Sequence, residues 1–186
     1  FIKLKKKLDK YDYIPKIKDL WKDIPLDDKK VYKQIYQKAD TNGVFQVESP
    51  LFKRLLKKMK PTNFEHIIAL LALGRPGPLE SGIVDSYINR LHGKEEVEYP
   101  HPDLEKDLKE TYGLLLYQEN IMKVSQTIAG FSLGKADILR RGMGKKKVKV
   151  LKKMKKEFIE GALENGYSEE LAKELYETIE YFAGYG

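Results

Sequence analysis

Thr62-Asn63-Phe64-Glu65-His66-Ile67-Ile68-Ala69-Leu70-Leu71-Ala72-Leu73-Gly74 decides the fold class. Thr62 and Glu65 have the spacing of a capping box, in which each end group satisfies a backbone N–H that a helix start leaves open. The run Ile67 to Leu73 behind them is the longest apolar stretch of the chain and is apolar on every side, which predicts a central buried helix. Gly74 follows where a helix ends, because a glycine tolerates the left-handed turn that satisfies the last carbonyls. His66 is read as a surface residue of that helix.

Working outward from this helix, start and stop signals recur. Pro25-Leu26-Asp27-Asp28 opens a helix through Val31, Tyr32, Ile35 and Tyr36, with Asp27 or Asp28 in its positive first turn. Asp40-Thr41-Asn42-Gly43 is a turn, and Val44 to Val47 reads as a short extended segment. Ser49-Pro50 starts a helix whose inner face is Phe52, Leu55, Leu56 and Met59 and whose outer face is basic. Arg75-Pro76-Gly77-Pro78-Leu79 reads as a stiff turn that presents one arginine. Ser81-Gly82 starts a helix with Ile83, Val84, Tyr87, Ile88 and Leu91 inward. A polar loop from Lys94 to Pro102, a short helix from Asp103 to Lys109 and a brief extended run over Tyr112–Tyr117 follow. Gln118 to Ala129 is a long helix stopped by Gly130. Ser132 caps the next, Lys145 to Asn165 is helical with Val148, Leu151, Met154, Phe158, Ala162 and Leu163 near one face, and Ser168 caps the last. The fold class is therefore all-α, about eight helices with one or two very short extended segments. Phe1 to Trp21 is Lys-rich, with a narrow apolar stripe around Pro15.

Charge is the second organising feature. The chain of 186 residues carries 35 basic and 28 acidic residues. Ten of the basic ones fall between Arg140 and Lys156, a stretch without an acidic residue, so the remainder of the chain holds 25 basic against 28 acidic. Like charges at helical spacing repel, and a bound polyanion would relieve them. The alternative is a solvated helix face. Gly142 and Gly144 break the basic run between Arg140-Arg141 and Lys145-Lys146-Lys147 and are expected to let the backbone approach whatever those charges hold. From Glu157 onward there are eight acidic residues and one lysine, so the domain carries a strong charge asymmetry.

Other chemistries find little support. The chain has no cysteine, which excludes disulfides and thiolate metal sites and suggests an intracellular, cytoplasmic setting. No apolar run approaches the ~20 residues that span a bilayer. There is no phosphate loop of the Gly-x-x-x-x-Gly-Lys-Ser/Thr kind, the three histidines lack metal-ligand spacing, and no nucleophile–base pair is readable. Phe1 at one end and Gly186 at the other suggest an excised piece.

Several motifs occur in order: Val44-Phe45-Gln46-Val47-Glu48-Ser49, Ala72-Leu73-Gly74-Arg75-Pro76-Gly77-Pro78-Leu79-Glu80-Ser81-Gly82, Glu98-Tyr99-Pro100-His101-Pro102, Tyr117-Gln118-Glu119, Leu139-Arg140-Arg141-Gly142-Met143-Gly144-Lys145-Lys146-Lys147 and Phe182-Ala183-Gly184-Tyr185-Gly186. Together, from about Ile24 to the end, they resemble the α subunit of bacterial DNA polymerase III, the C-family replicative polymerases. The resemblance implies the fingers region over residues 25–186, with residues 1–24 connecting to a palm absent from the chain. It implies that Arg140 and Arg141 contact the triphosphate of the incoming dNTP. Lys145, Lys146, Lys147 and Arg75 would contact phosphate or primer–template DNA, and Gln46, Ser81 and Gln118 would be further site residues. The catalytic aspartates and their two Mg2+ ions belong to that palm, so the resemblance implies no catalytic or metal-binding residue here and no synthesis by this chain alone. DNA, dNTP and other replicase subunits are the implied partners. A non-catalytic basic nucleic-acid-binding module is the alternative. The chain departs from the family pattern at Gly74, Gly142 and Val148, where a larger residue, alanine and proline are usual.

Overall fold

The computed structural model describes residues 25–144 and 148–185. These residues are mainly helical, as the periodicity predicts, and no strand occurs among them. Ten α-helices take part: α1 (Lys29–Val31), α2 (Pro50–Met59), α3 (Phe64–Leu73), α4 (Pro76–Glu80), α5 (Ile83–Leu91), α6 (Glu105–Leu108), α7 (Gln118–Ala129), α8 (Leu133–Gly144), α9 (Val148–Glu164) and α10 (Glu169–Tyr185). Tyr32–Tyr36 continues α1 as a wider π-type turn, and 3-10 turns flank α6.

Local chemistry sets most boundaries. Asp28 accepts from the Lys30 amide at 2.8 Å and starts α1. Ser49 accepts from the Phe52 amide at the start of α2, with Pro50 in the first turn. Ser132 and Ser168 accept from the amides of Lys135 and Leu171 at the starts of α8 and α10. Gly130, at φ 63°, closes α7. The start of α3 differs from the expectation. Asn63 is its cap, accepting from the His66 amide at 2.9 Å, and the His66 ring reaches back to accept from the Thr62 amide at 3.2 Å. An imidazole thus takes the part expected of Glu65, which remains exposed.

Two hydrophobic cores organise the helices. The first gathers Tyr32, Leu56, Met59, Leu70, Leu73 and Tyr87 from α1 to α5 with Leu116. The second gathers Leu104, Ile121, Leu139, Phe158, Tyr176 and Ile179 from α6 to α10. Phe158 lies at its centre, with its ring centroid 6.0 Å from that of Phe131 and 5.4 Å from that of Tyr176. The expected central helix α3 therefore serves only the first core. Its Ile68 is 44% exposed, because the remaining helices build a separate core instead of wrapping it. His66, expected on the surface, is only 7% exposed: its back-bond to Thr62 turns the ring inward. Leu163 is exposed, one position beyond the buried stripe of α9.

The two expected extended segments are irregular turns. Val47 donates to the Val44 carbonyl at 3.2 Å, Gln46 sits at φ 65°, and the Thr41 hydroxyl donates to the Val47 carbonyl at 2.7 Å. A lone strand has no ladder to satisfy its backbone, so local partners take over. Tyr112–Tyr117 is a strap along the seam, with Leu115 packed into the second core and Leu116 into the first. Its last amides, of Leu116 and Tyr117, both donate to the Asn120 side chain. Arg90 fixes the other end, donating to Glu95 at 2.7 Å and to the Tyr112 carbonyl at 2.9 Å. Gly113, at φ 79°, is required there, since a β-carbon would overlap the Glu98 carbonyl.

Candidate functional site: a cleft at the seam and an arginine pair

The seam opens into a cleft of about 400 Å³. Arg75, Gly77 and Ser81 line it from the α4 segment, Tyr117 and Gln118 from the start of α7, and Tyr181 from α10. Residues more than 100 positions apart in sequence thus line one cleft. The stiff turn expected at Arg75–Leu79 is a short helix with Pro76 in its first turn. Proline lacks the N–H that a first turn leaves unused, so the sequence chosen for stiffness also suits a helix start. Arg75 precedes it as an exposed residue at the cleft. The Ser81 hydroxyl donates to the Pro78 carbonyl at 3.1 Å, which ends that turn. Burial pushes the Tyr117 phenol up to about 12, so it is neutral at physiological pH.

Arg140 joins this cleft through Gln118, donating from Nη1 to Gln118 Oε1 at 3.2 Å. Its Nε and Nη2 both donate to Asp137 Oδ1, at 2.9 and 2.7 Å. Arg141 Nη2 stands 2.9 Å from the other oxygen of the same carboxylate. Asp137 lies one turn before both arginines on α8, the spacing at which helix side chains meet. Two guanidinium groups and one carboxylate leave a net charge of +1. The hydrogen bond from Arg140, with the charge of Arg141, holds the Asp137 carboxyl below its usual range. The Arg140, Arg141 and Asp137 side chains are 33%, 59% and 31% exposed, so the network is open to solvent and to a ligand.

Two expectations about this segment change. The helix that carries Arg140 and Arg141 runs on through Gly142 to Gly144. Gly142 is buried against α9, where a β-carbon would come 3.1 Å from Val150 Cγ1, so it serves helix packing in place of ligand approach. The repulsion along α9 is also met within the chain: Lys153 pairs with Glu157, Lys156 with Glu160, and Lys155 with Glu180 at 3.2 Å on α10. The lysine stripe of α9 therefore does not by itself require a polyanion, and Asp137 neutralises part of the arginine pair.

Of the other candidates, Gln46 occupies an exposed turn and does not line the cleft. Lys145, Lys146 and Lys147 lie outside the described residues. Asp137, Tyr117 and Tyr181 are the groups that sequence reasoning missed. For Asp137 the signal was present, a carboxylate three and four residues before two arginines. Among the described residues, no three carboxylate or imidazole groups gather to hold a metal ion, and no helix is long and apolar enough to cross a membrane.

The described residues thus form a mainly helical unit with a cleft at the seam of its two cores and an arginine pair beside it, and the sequence comparisons place the chain in a family. The chain belongs to the family described as the bacterial DNA polymerase III alpha subunit finger domain, which it matches over residues 2–166. It is 58% identical over 163 residues to DNA polymerase III subunit alpha of Aquifex aeolicus, covering 88% of this chain and 14% of that protein. It is 54% identical over 168 residues to the subunit of Pseudomonas aeruginosa and 49% identical over 168 residues to that of Escherichia coli, with the same coverage in both. The chain therefore spans about a seventh of the length of these relatives.

Proposed function

We propose that this chain is the nucleotide-positioning part of a replicative DNA polymerase, with Arg140 and Arg141 holding the triphosphate of the incoming dNTP. The observation that carries the reading is the pair itself: two guanidinium groups on one helix turn, sharing a single carboxylate and keeping a net positive charge. A planar guanidinium offers paired donors that match phosphate oxygens and stays charged at any working pH. Solvent-exposed ion pairs of this kind are weak, so a triphosphate, with several charges and many acceptors, competes well against Asp137. Donors aimed at charge that develops on the leaving pyrophosphate lower the barrier by about 2–4 kcal/mol each.

Beside the pair, Gln118 accepts from Arg140, and Arg75 lines the same cleft, suited to a template or primer phosphate. Lys145, Lys146 and Lys147, next along the chain, supply further phosphate contacts in this reading. Bond formation itself needs groups beyond these. The Mg2+ ions that activate a primer hydroxyl would be held by carboxylates of a palm domain, and DNA, dNTP and other replicase subunits would meet the complete subunit.

The test is Arg140→Ala with Arg141→Ala in a full-length α subunit carrying this finger sequence. Single-nucleotide incorporation should fall in kcat/KM by on the order of a thousandfold or more, while primer–template affinity changes little. Unchanged dNTP use would refute the assignment.

A further inference from the structure

We propose that Asp137 is a positioning residue of the nucleotide site, whose carboxylate aims both arginines and sets how tightly the triphosphate and the leaving pyrophosphate are held. The inference rests on the reading that Arg140 and Arg141 bind the triphosphate, and it goes beyond that reading by assigning an anionic group to a phosphate site.

The geometry supports it in three ways. Asp137 accepts from Nε and Nη2 of Arg140 through one oxygen and meets Arg141 through the other, so one side chain fixes the relative orientation of two guanidinium groups that would otherwise repel. Arg140 has a second anchor in Gln118, whereas Arg141 is the more exposed of the two. Arg140 is thus the fixed member and Arg141 the arm free to follow a phosphate. Finally, the carboxylate lowers the charge of the pair from +2 to +1. A site at +2 would hold triphosphate more tightly, but it would hold pyrophosphate more tightly too and slow its release. A carboxylate that occupies the donors when no phosphate is present also keeps them ordered for the next nucleotide.

The experiment uses the full-length α subunit with this finger sequence and compares Asp137→Asn with Asp137→Glu. Asparagine is nearly isosteric; it removes the charge and turns one of the two acceptor oxygens into a donor, so it can still accept from only one of the arginines. Coulomb repulsion over about 6 Å in a solvent-rich site corresponds to roughly three- to tenfold in affinity. Asp137→Asn should therefore lower the KM for dNTP by that factor, tighten inhibition by inorganic pyrophosphate similarly, and lower kcat. The differences should shrink as salt rises. Asp137→Glu, which restores the charge, should return both constants toward the parent values. A purely structural role would instead raise KM or leave it unchanged, with pyrophosphate inhibition untouched, and either result overturns the proposal. If Asp137→Asn fails to fold, Asp137→Glu decides: constants near the parent values support the charge, and a raised KM at unchanged charge overturns it. Loss of dNTP use in the arginine variants with no effect of Asp137→Asn sinks this inference alone. Arginine variants without effect sink the underlying reading as well.

Discussion

Replacing Gly161 by alanine and, separately, Gly134 by alanine puts the same methyl group into two helices with opposite expected results. Gly161 lies on α9 where it crosses α7, and a β-carbon there would overlap the Ala129 carbonyl oxygen. That oxygen is backbone and cannot swing aside, so the helix pair must open by about 1 Å, which forfeits a quarter to a half of the dispersion at the contact. Overpacking of this kind costs about 1–3 kcal/mol, and the helix preference of alanine over glycine returns at most about 1 kcal/mol. The structure therefore predicts a net loss of up to about 2 kcal/mol, or up to roughly 8 °C in Tm for a chain of this size. At Gly134, near the start of α8, nothing lies within 4 Å of the added carbon. The propensity gain of about 0.5–1 kcal/mol should appear there almost undiminished. Thermal and urea unfolding followed by circular dichroism at the helix band measures both. The consequence reaches the site, because α8 packs on both α7 and α9 and an opened pair displaces the arginines it carries. A Gly161→Ala variant as stable as the Gly134→Ala variant would refute the close crossing, and with it the placement of α8.

Two further outcomes follow from single contacts. Gln118→Ala removes the acceptor of Arg140 Nη1 without touching either core, so it should raise the KM for dNTP by roughly two- to tenfold in steady-state incorporation and leave the unfolding midpoint within about a degree. Burial lowers the His66 pKa below 6.5, so the folded chain binds fewer protons than the unfolded one in the window below that value. Stability should therefore be full above pH 6.5 and decline as pH falls through it. Urea midpoints between pH 7 and 5 should show this slope in the parent and a flatter one in His66→Gln.

The way the site was partly visible in the sequence shows where such reading stops. Arg75, Ser81 and Gln118 were readable as single residues within motifs, and the fold brings all three to one cleft. The arginine pair was readable as charge. Its partner Asp137 lies within one turn, but a carboxylate three and four residues before two arginines marks an ordinary helix-surface ion pair equally well. Tyr117 and Tyr181 carry no local signature of a cleft wall, since their shared position depends on how helices distant in sequence come together.

Helix class, most boundaries and most caps were set by the sequence alone: Ser49, Ser132 and Ser168 at starts, Gly74 and Gly130 at ends, and the span from Gln118 to Ala129. These depend on interactions within about four residues, which side-chain type and spacing express directly. The tertiary structure alone decided that the described helices build two cores, that Ile68 faces outward and His66 inward, that Gly142 serves a helix crossing, and that Lys153, Lys155 and Lys156 of α9 find carboxylates within the chain. Burial and charge pairing depend on which distant surfaces meet, and a pattern confined to one helix says which face is apolar without saying what will cover it.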